Sequence, residues 1–435
     1  MGKDSGRGPR TIDAPSLVEE FREKELSRRA ILQTALAGSA LLISAQLAGC
    51  DGDTGVAGSL DSGADDGGGG ADGTVDAGRS DGSAGSGEDG SPADSGSTDA
   101  SADRDGAPAD AGQTNPADGE VDGGIIPAGH LVGMGYHESD YMAALSASFA
   151  ASMDLSFIER GQTVYFKVNC NNGDPYPHST KPELIVELAN RCRDHGAGRI
   201  IVGDRSFWGD QGTSANMRQN GVAGAAEMAG AELMVFDDDT VDWVQIAASD
   251  VPNWNGGFRL PVPVMQADHI INLPCMKTHF ISEFTMALKN MIGLVHPADR
   301  RREGNLDVHR VPRLWMQISQ INQQITPSIN ILDGYEALVQ GGPTVRDGRG
   351  PRYASPKVII TSADRIATDV TGVAVLQTLA PAVEEVTQST AWRSGQIRQA
   401  IRDGIGIRNP NNYDLAGPTV PEAQFAAYLE NASRV

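Results

Sequence analysis

The sequence predicts an α/β protein: a largely parallel or mixed sheet with helices on both faces, preceded by a disordered tether. Three observations predict it. From Ile126 on, short apolar runs alternate with stretches of helical period, and strands separated by helices argue for a mostly parallel, doubly covered sheet. Five of those runs end in Lys, His, Asn or Asp, and the carboxyl edge of such a sheet is where ligands bind. Residues 51–125, by contrast, hold eighteen acidic and two basic side chains, a net of −16 within the chain's −22, and almost no large apolar residue. Such a segment cannot bury enough surface to offset its ordering entropy. As a flexible chain of about 75 residues it would span roughly 50 Å, and its like charges extend it further.

The elements follow in order. His130–Met134 is a predicted strand, Tyr141–Met153 a helix and Thr163–Val168 a strand. Pro182–His195 reads as a helix, with Pro at its start and Gly196 past its end, the asymmetry helix termini prefer. Arg199–Val202 is a strand, Ala223–Ala231 a short helix and Leu233–Phe236 a strand. Val262–Ala267 leads into the strand His269–Leu273, and helices are expected over Phe280–Ile292 and Val311–Ile325. Ile329–Leu332 and Lys357–Thr361 are strands, and Ala363–Leu379 and Gly395–Gly404 helices.

The polar endings are specific. "VYFKVNCNNGD" ends in Lys167 and Asn169, "IIVGDRS" in Asp204, "IINLPCMKTH" in Lys277 and His279, "INILDGYEA" in Asp333 and "VIITSAD" in Asp364. Lys277 and His279 alternate with Thr278, so an extended segment turns both to one face. On the helix expected next, Phe284, Ala287, Leu288, Met291 and Ile292 form an apolar arc that Gly293 closes, with Thr285 and Lys289 one turn apart at its margin. Lys289 there either lays its stem on the core with its charge in water or joins Lys167 and Lys277 around an anion, a carboxylate or phosphate. Lys277, His279 and Lys289 are the candidate catalytic residues. Lys167, Asn169, Asn290, Asp333 and Asp364 are the candidate ligand-binding ones. His279, His309 and Asp333 are the candidate ligands of a divalent metal.

The amino terminus carries its own signals. Ser27-Arg28-Arg29-Ala30-Ile31-Leu32-Gln33 precedes a short apolar run, Ala35–Leu47. The run is too short and too rich in small residues for a confident membrane span, and the layout is that of an export signal. The paired arginines resemble a twin-arginine signal, and Leu47-Ala48-Gly49-Cys50 resembles a bacterial lipobox. The resemblance implies residues 1–49 as an export signal and Cys50 as the lipidated start of a mature protein. The tether 50–125 and an α/β domain over 126–435 would follow, in the cell envelope and facing the periplasm.

Lys167-Val168-Asn169, "NLPCMKTHFISEFTMALKNMIGL", "LDGYEALVQGGPTV" and "SADRIATDV" resemble the bacterial and archaeal domain-of-unknown-function family 362, over about residues 130–416. "AIRDGIGIRNPNNYDLAG" fits that family's closing pattern. The resemblance implies a fold more than an activity. Many members carry a ferredoxin-like insertion. Here only Cys170, Cys192 and Cys275 accompany Cys50, with no Cys-x-x-Cys, so no iron–sulfur cluster is expected. These three are expected as small buried hydrophobes or, for two of them, as a disulfide.

Other chemistries find no support in the motifs. Gly133-Met134-Gly135 lacks the third glycine of a dinucleotide loop, and neither a P-loop nor a Gly-x-Ser-x-Gly elbow occurs. An acidic chain without a basic patch argues against nucleic acid. Two readings stand: an enzyme acting on a small anionic metabolite, or an envelope protein that binds such a ligand without turnover.

Overall fold

The computed structural model describes Thr11–Ile12 and residues 130–435, apart from 208–211, 238–240, 303–304, 306–310, 344–349 and 380–383. The arginine pair Arg28–Arg29, Cys50, the segment 51–125 and His309 lie outside the described residues.

The strands, in chain order, are β1 (Thr11–Ile12), β2 (His130–Tyr136), β3 (Thr163–Lys167), β4 (Arg199–Asp204), β5 (Glu232–Val235), β6 (Trp243–Ile246) and β7 (Phe258–Pro261). They continue with β8 (His269–Asn272), β9 (Cys275–His279), β10 (Glu283–Thr285), β11 (Ile329–Gln340), β12 (Arg352–Ala354), β13 (Val358–Ser362) and β14 (Tyr413–Ala416). The main sheet runs β14-β2-β13-β11-β8-β3-β4-β5, with β9, β10 and β12 attached off this path. Pairing is parallel from β11 through β8, β3, β4 and β5, and antiparallel where β13 meets β11 and β2. The fold is therefore the expected mixed, mostly parallel α/β sheet. A small second sheet, β1-β6-β7, sets Thr11 opposite Trp243.

Alternation along the strands builds two cores. Tyr165, Ile270, Leu332 and Ile360 face one way, toward the helices Arg313–Gln324, Arg365–Leu379 and Gly395–Arg402. Val164, Phe166, Ile271, Ile331 and Ile359 face the other, toward Tyr141–Ala151, Pro182–Asp194 and Val222–Met228. This is the period-two pattern of a sheet buried on both faces. Gly133 and Gly135 serve packing: a Cβ on either would stand 2.3 Å from Ser148 O or 1.9 Å from Ala144 O, so only glycine lets the helix Tyr141–Ala151 lie this close to β2. No helix among the described residues is long and apolar enough to cross a membrane.

Two expectations change. The helix foreseen over Phe280–Ile292 is instead a β9–β10 hairpin, in which Thr285 faces Lys277, followed by the one-turn helix Ala287–Asn290 and a 3₁₀ turn Met291–Leu294. Thr285 and Lys289 are thus not one helical turn apart, and Gly293 lies within the 3₁₀ turn. The strand foreseen over Ile329–Leu332 runs on to Gln340, so Asp333 sits inside β11 rather than at its end.

Candidate functional site

At the carboxyl edge, Lys167 of β3 is in register with Gly203 of β4 and Asn272 of β8. Lys167 Nζ lies 2.8 Å from Asp204 Oδ1, both side chains buried. It also donates to Val168 O at 2.6 Å and Asn290 Oδ1 at 3.4 Å. Asp204 in turn accepts from Cys170 N and Arg205 N, each at 2.8 Å. Burial lowers the Lys167 pKa and Asp204 draws it back up. Gly293 closes over this pair. A Cβ there would fall 1.8 Å from Asp204 Oδ1 and 3.0 Å from Lys167 Nζ.

Above the pair is a cavity of about 60 Å³, lined by Asn169, Lys277, His279, Thr285, Lys289 and Asn290 together with Asp204, Arg205, Phe207 and Arg300. The structure thus brings five of the predicted residues to one place: Lys277, His279, Lys289, Asn169 and Asn290. Lys167 stands beneath them, with its three protons spent on Asp204, Val168 and Asn290. It positions the floor rather than meeting a ligand.

Lys277 differs from Lys167. Its Nζ donates to Asn169 Oδ1 at 2.7 Å and to His178 O at 2.6 Å, both uncharged acceptors. One N–H remains for a ligand. Burial is the main influence on this amine and lowers its pKa. A hydrogen-bond chain leads away from it: Asn169 Nδ2 donates to Asn290 Oδ1 (2.9 Å), Asn290 Nδ2 to Asn272 Oδ1 (2.8 Å), Asn272 Nδ2 to Asn330 Oδ1 (2.9 Å) and Asn330 Nδ2 to Ser362 O (3.2 Å). The one-turn helix bearing Lys289 and Asn290 is held by Asp369, which accepts from Ala287 N at 2.7 Å and Leu288 N at 3.0 Å.

His279 is buried and stacks on Phe280. Its Nδ1 accepts from Ile281 N (3.2 Å) and Ser282 N (3.3 Å), which puts the ring proton on Nε2 and makes that nitrogen a donor.

Three cavity residues escaped the sequence reading: Arg205, Thr285 as a polar contact, and Arg300. Arg205 is paired with Asp237 at 2.8 Å. Arg300 is 3 % exposed, with its guanidinium 5.6 Å from the Phe207 ring centroid. Its Nη1 is buried without a hydrogen-bond partner, as is Thr285 Oγ1. Burial and the nearby Arg205 pull Arg300 down to about 9, against the attraction of Asp204. The helix Pro297–Arg301 that carries it is anchored through Asp299, which pairs with Arg259 of β7 at 2.9 Å. The run "HPADRRREG" gave no sequence signal for it: Arg301 and Arg302 are exposed and only the fold buries Arg300.

Two predicted ligand-binding residues are elsewhere. Asp333 accepts from Tyr141 OH (2.7 Å), Tyr176 OH (2.8 Å) and Tyr335 N (3.0 Å). It pairs in register with Cys275, four residues before His279, and burial raises it to about 6. Asp364 begins the helix Arg365–Leu379, accepting from Ala367 N and Ile407 N at 2.8 Å each. Neither lines the cavity, because strand and helix-cap hydrogen bonding already uses them. The metal set His279–His309–Asp333 is accordingly not assembled with Asp333, and His309 lies outside the described residues. Among the described residues no group of three or more His, Cys, Asp or Glu is placed to hold a metal. Cys170, Cys192 and Cys275 are buried, free thiols, and burial pushes them up to about 11, 12 and 12.

Residues 164–374 match the family described as "Domain of unknown function (DUF362)", a narrower span than the resemblance drawn from the motifs, and one that contains the cavity. The chain is also similar to a thylakoid-associated protein of Synechocystis sp., with 28 % identity over 224 residues. The alignment covers 49 % of this chain and 64 % of that relative, less than two thirds of its length. No solved structure matches it.

Proposed function

We propose that the cavity binds a small anionic molecule and that the protein is an enzyme acting on it, with Lys277 and His279 moving protons and Lys289 helping to hold the charge. Arg300 carries the reading. A guanidinium buried beside other cations, with no hydrogen bond among the described residues, is costly unless an anion joins it. Buried donors gathered around one small space are the usual form of an anion site. Lys277 suits acid–base work, because burial brings its ammonium closer to releasing a proton. His279 is a second group in the same lining that can carry a proton.

The cellular setting is part of the proposal. The lipobox-like Leu47–Cys50 supports an exported protein anchored by lipid at Cys50 and facing the periplasm. The name of the thylakoid-associated relative supports membrane association of the same broad kind.

Native purification followed by mass spectrometry of co-purifying small molecules and metals tests the site. Lys277→Met and Lys289→Met keep most of the stem packing and remove the charge. Loss of retained ligand and of turnover, with stability unchanged or higher, is expected. Retained ligand and turnover in both variants would end the anion-site reading. Tight retention without turnover of any identified ligand would favour a non-catalytic binding lipoprotein.

A further inference from the structure

We infer that the group gripped in this cavity is a dianionic oxyanion of phosphoryl size, held between Arg300 and Lys277; the inference rests on the anion site proposed above. Beside Lys289, two further buried cations, Lys277 and Arg300, line the cavity without a carboxylate partner among the described residues. Lys277 donates only to an amide oxygen and a backbone carbonyl. The Arg300 guanidinium has neither a hydrogen bond nor an ion pair there, its Nη1 being buried and unpartnered. The carboxylate in the lining, Asp204, is already engaged by Lys167 and two backbone N–H groups. A monoanion would leave one of these two buried cations uncompensated, whereas a dianion answers both.

The donors also suit a tetrahedral group. A guanidinium presents a planar fork to two oxygens, and an ammonium is a point charge for a third. The Thr285 hydroxyl, buried and without a partner, faces Lys277 across the hairpin and supplies another donor. The cavity of about 60 Å³ is roughly four to six times the smallest space that admits one water. That is room for a gripped group of about five heavy atoms. Free phosphate and the phosphoryl end of a phosphate monoester share this chemistry.

The test uses the purified full-length protein, dialysed into a buffer free of oxyanions. Its melting midpoint is followed against inorganic phosphate, sulfate, methyl phosphate, acetate and nitrate, slightly above neutral pH. Phosphate and sulfate are expected to raise the midpoint with at least about tenfold tighter apparent binding than acetate or nitrate. Arg300→Met and Lys277→Met should each weaken the phosphate response by about tenfold or more, while Arg301→Met, on the exposed neighbour, should keep it. Methyl phosphate binding tighter than phosphate would assign the site to a monoester, and the reverse order to free phosphate; both support the inference. Acetate or nitrate matching phosphate would overturn the dianion and leave the anion site standing. A wild-type protein stabilised by none of the five would overturn both.

Discussion

Arg300→Met in the ligand-free protein should raise stability, which is unusual for removal of a buried polar side chain. Burial lowers this guanidinium from its ordinary range to about 9. At about 1.4 kcal/mol per pH unit, holding it charged in the folded state costs on the order of 5 kcal/mol. The sign follows from linkage. The group is a base whose folded value lies below its unfolded one, so the cost is full below about pH 9 and relaxes only as pH rises beyond it. At neutral pH the whole cost is present. Methionine keeps the stem but loses the contact with Phe207, a loss of about 1 kcal/mol, and it fits the polar lining imperfectly. A net gain of about 2–4 kcal/mol remains, or a midpoint rise of roughly 4–8 °C for a domain of this size. Differential scanning calorimetry in oxyanion-free buffer reads it directly. A fall in the midpoint of more than about 2 °C would mean that Arg300 is well satisfied without a ligand, and the reasoning behind the site would fail.

Further outcomes are expected. Gly293→Ala forces a methyl group to within 1.8 Å of Asp204 Oδ1 and should break the Lys167–Asp204 pair, losing roughly 3–5 kcal/mol. Gly224→Ala, in open space on the helix Val222–Met228, should gain up to about 1 kcal/mol; urea melts compare the two, and an undamaged Gly293→Ala counts against the packing described. Asp333, raised from 3.8 to about 6, binds its proton in the folded state first. Stability should therefore increase as pH falls from about 6 to about 4, by up to about 3 kcal/mol. Asp333→Asn should flatten that window, and an unchanged pH profile would reject the assignment. Mass spectrometry of the mature amino terminus should find a lipidated Cys50, whereas an intact Met1 or cleavage elsewhere removes the lipoprotein proposal. Deletion of residues 51–125 should leave the melting midpoint almost unchanged.

The strand order and two-sided burial were legible because Tyr165, Ile270 and Ile331 sit in long apolar runs with helical stretches between them. The carboxyl-edge site was legible in part: Lys277, His279, Lys289, Asn169 and Asn290 do meet at one cavity. The β9–β10 hairpin was not. Its residues are buried on nearly every side, and a segment buried all round fits a helical period as readily as a strand. Asp333 misled because "ILDG" reads as a strand end, whereas Gly334 packs against Met276 and lets β11 continue. Arg300 was hidden inside a run of arginines that resembles a solvated surface. Only the anchoring of its short helix by Asp299 and Arg259 turns one of the three inward.

The asparagine chain from Lys277 to Ser362 has a direction. Each amide accepts on its oxygen from the cavity side and donates from its nitrogen to the next. Turning any one of them over would set oxygen against oxygen and nitrogen against nitrogen at its neighbours. Every side-chain dipole is therefore locked with its negative end toward Lys277, and each polarises the next. The array is a negative pole that contains no negative charge. It offers a buried ammonium oriented acceptors without a compensating charge. A substitution at Asn330, two amides beyond the cavity-lining Asn290, should thus be felt at Lys277 as a change in proton affinity rather than as a change in shape.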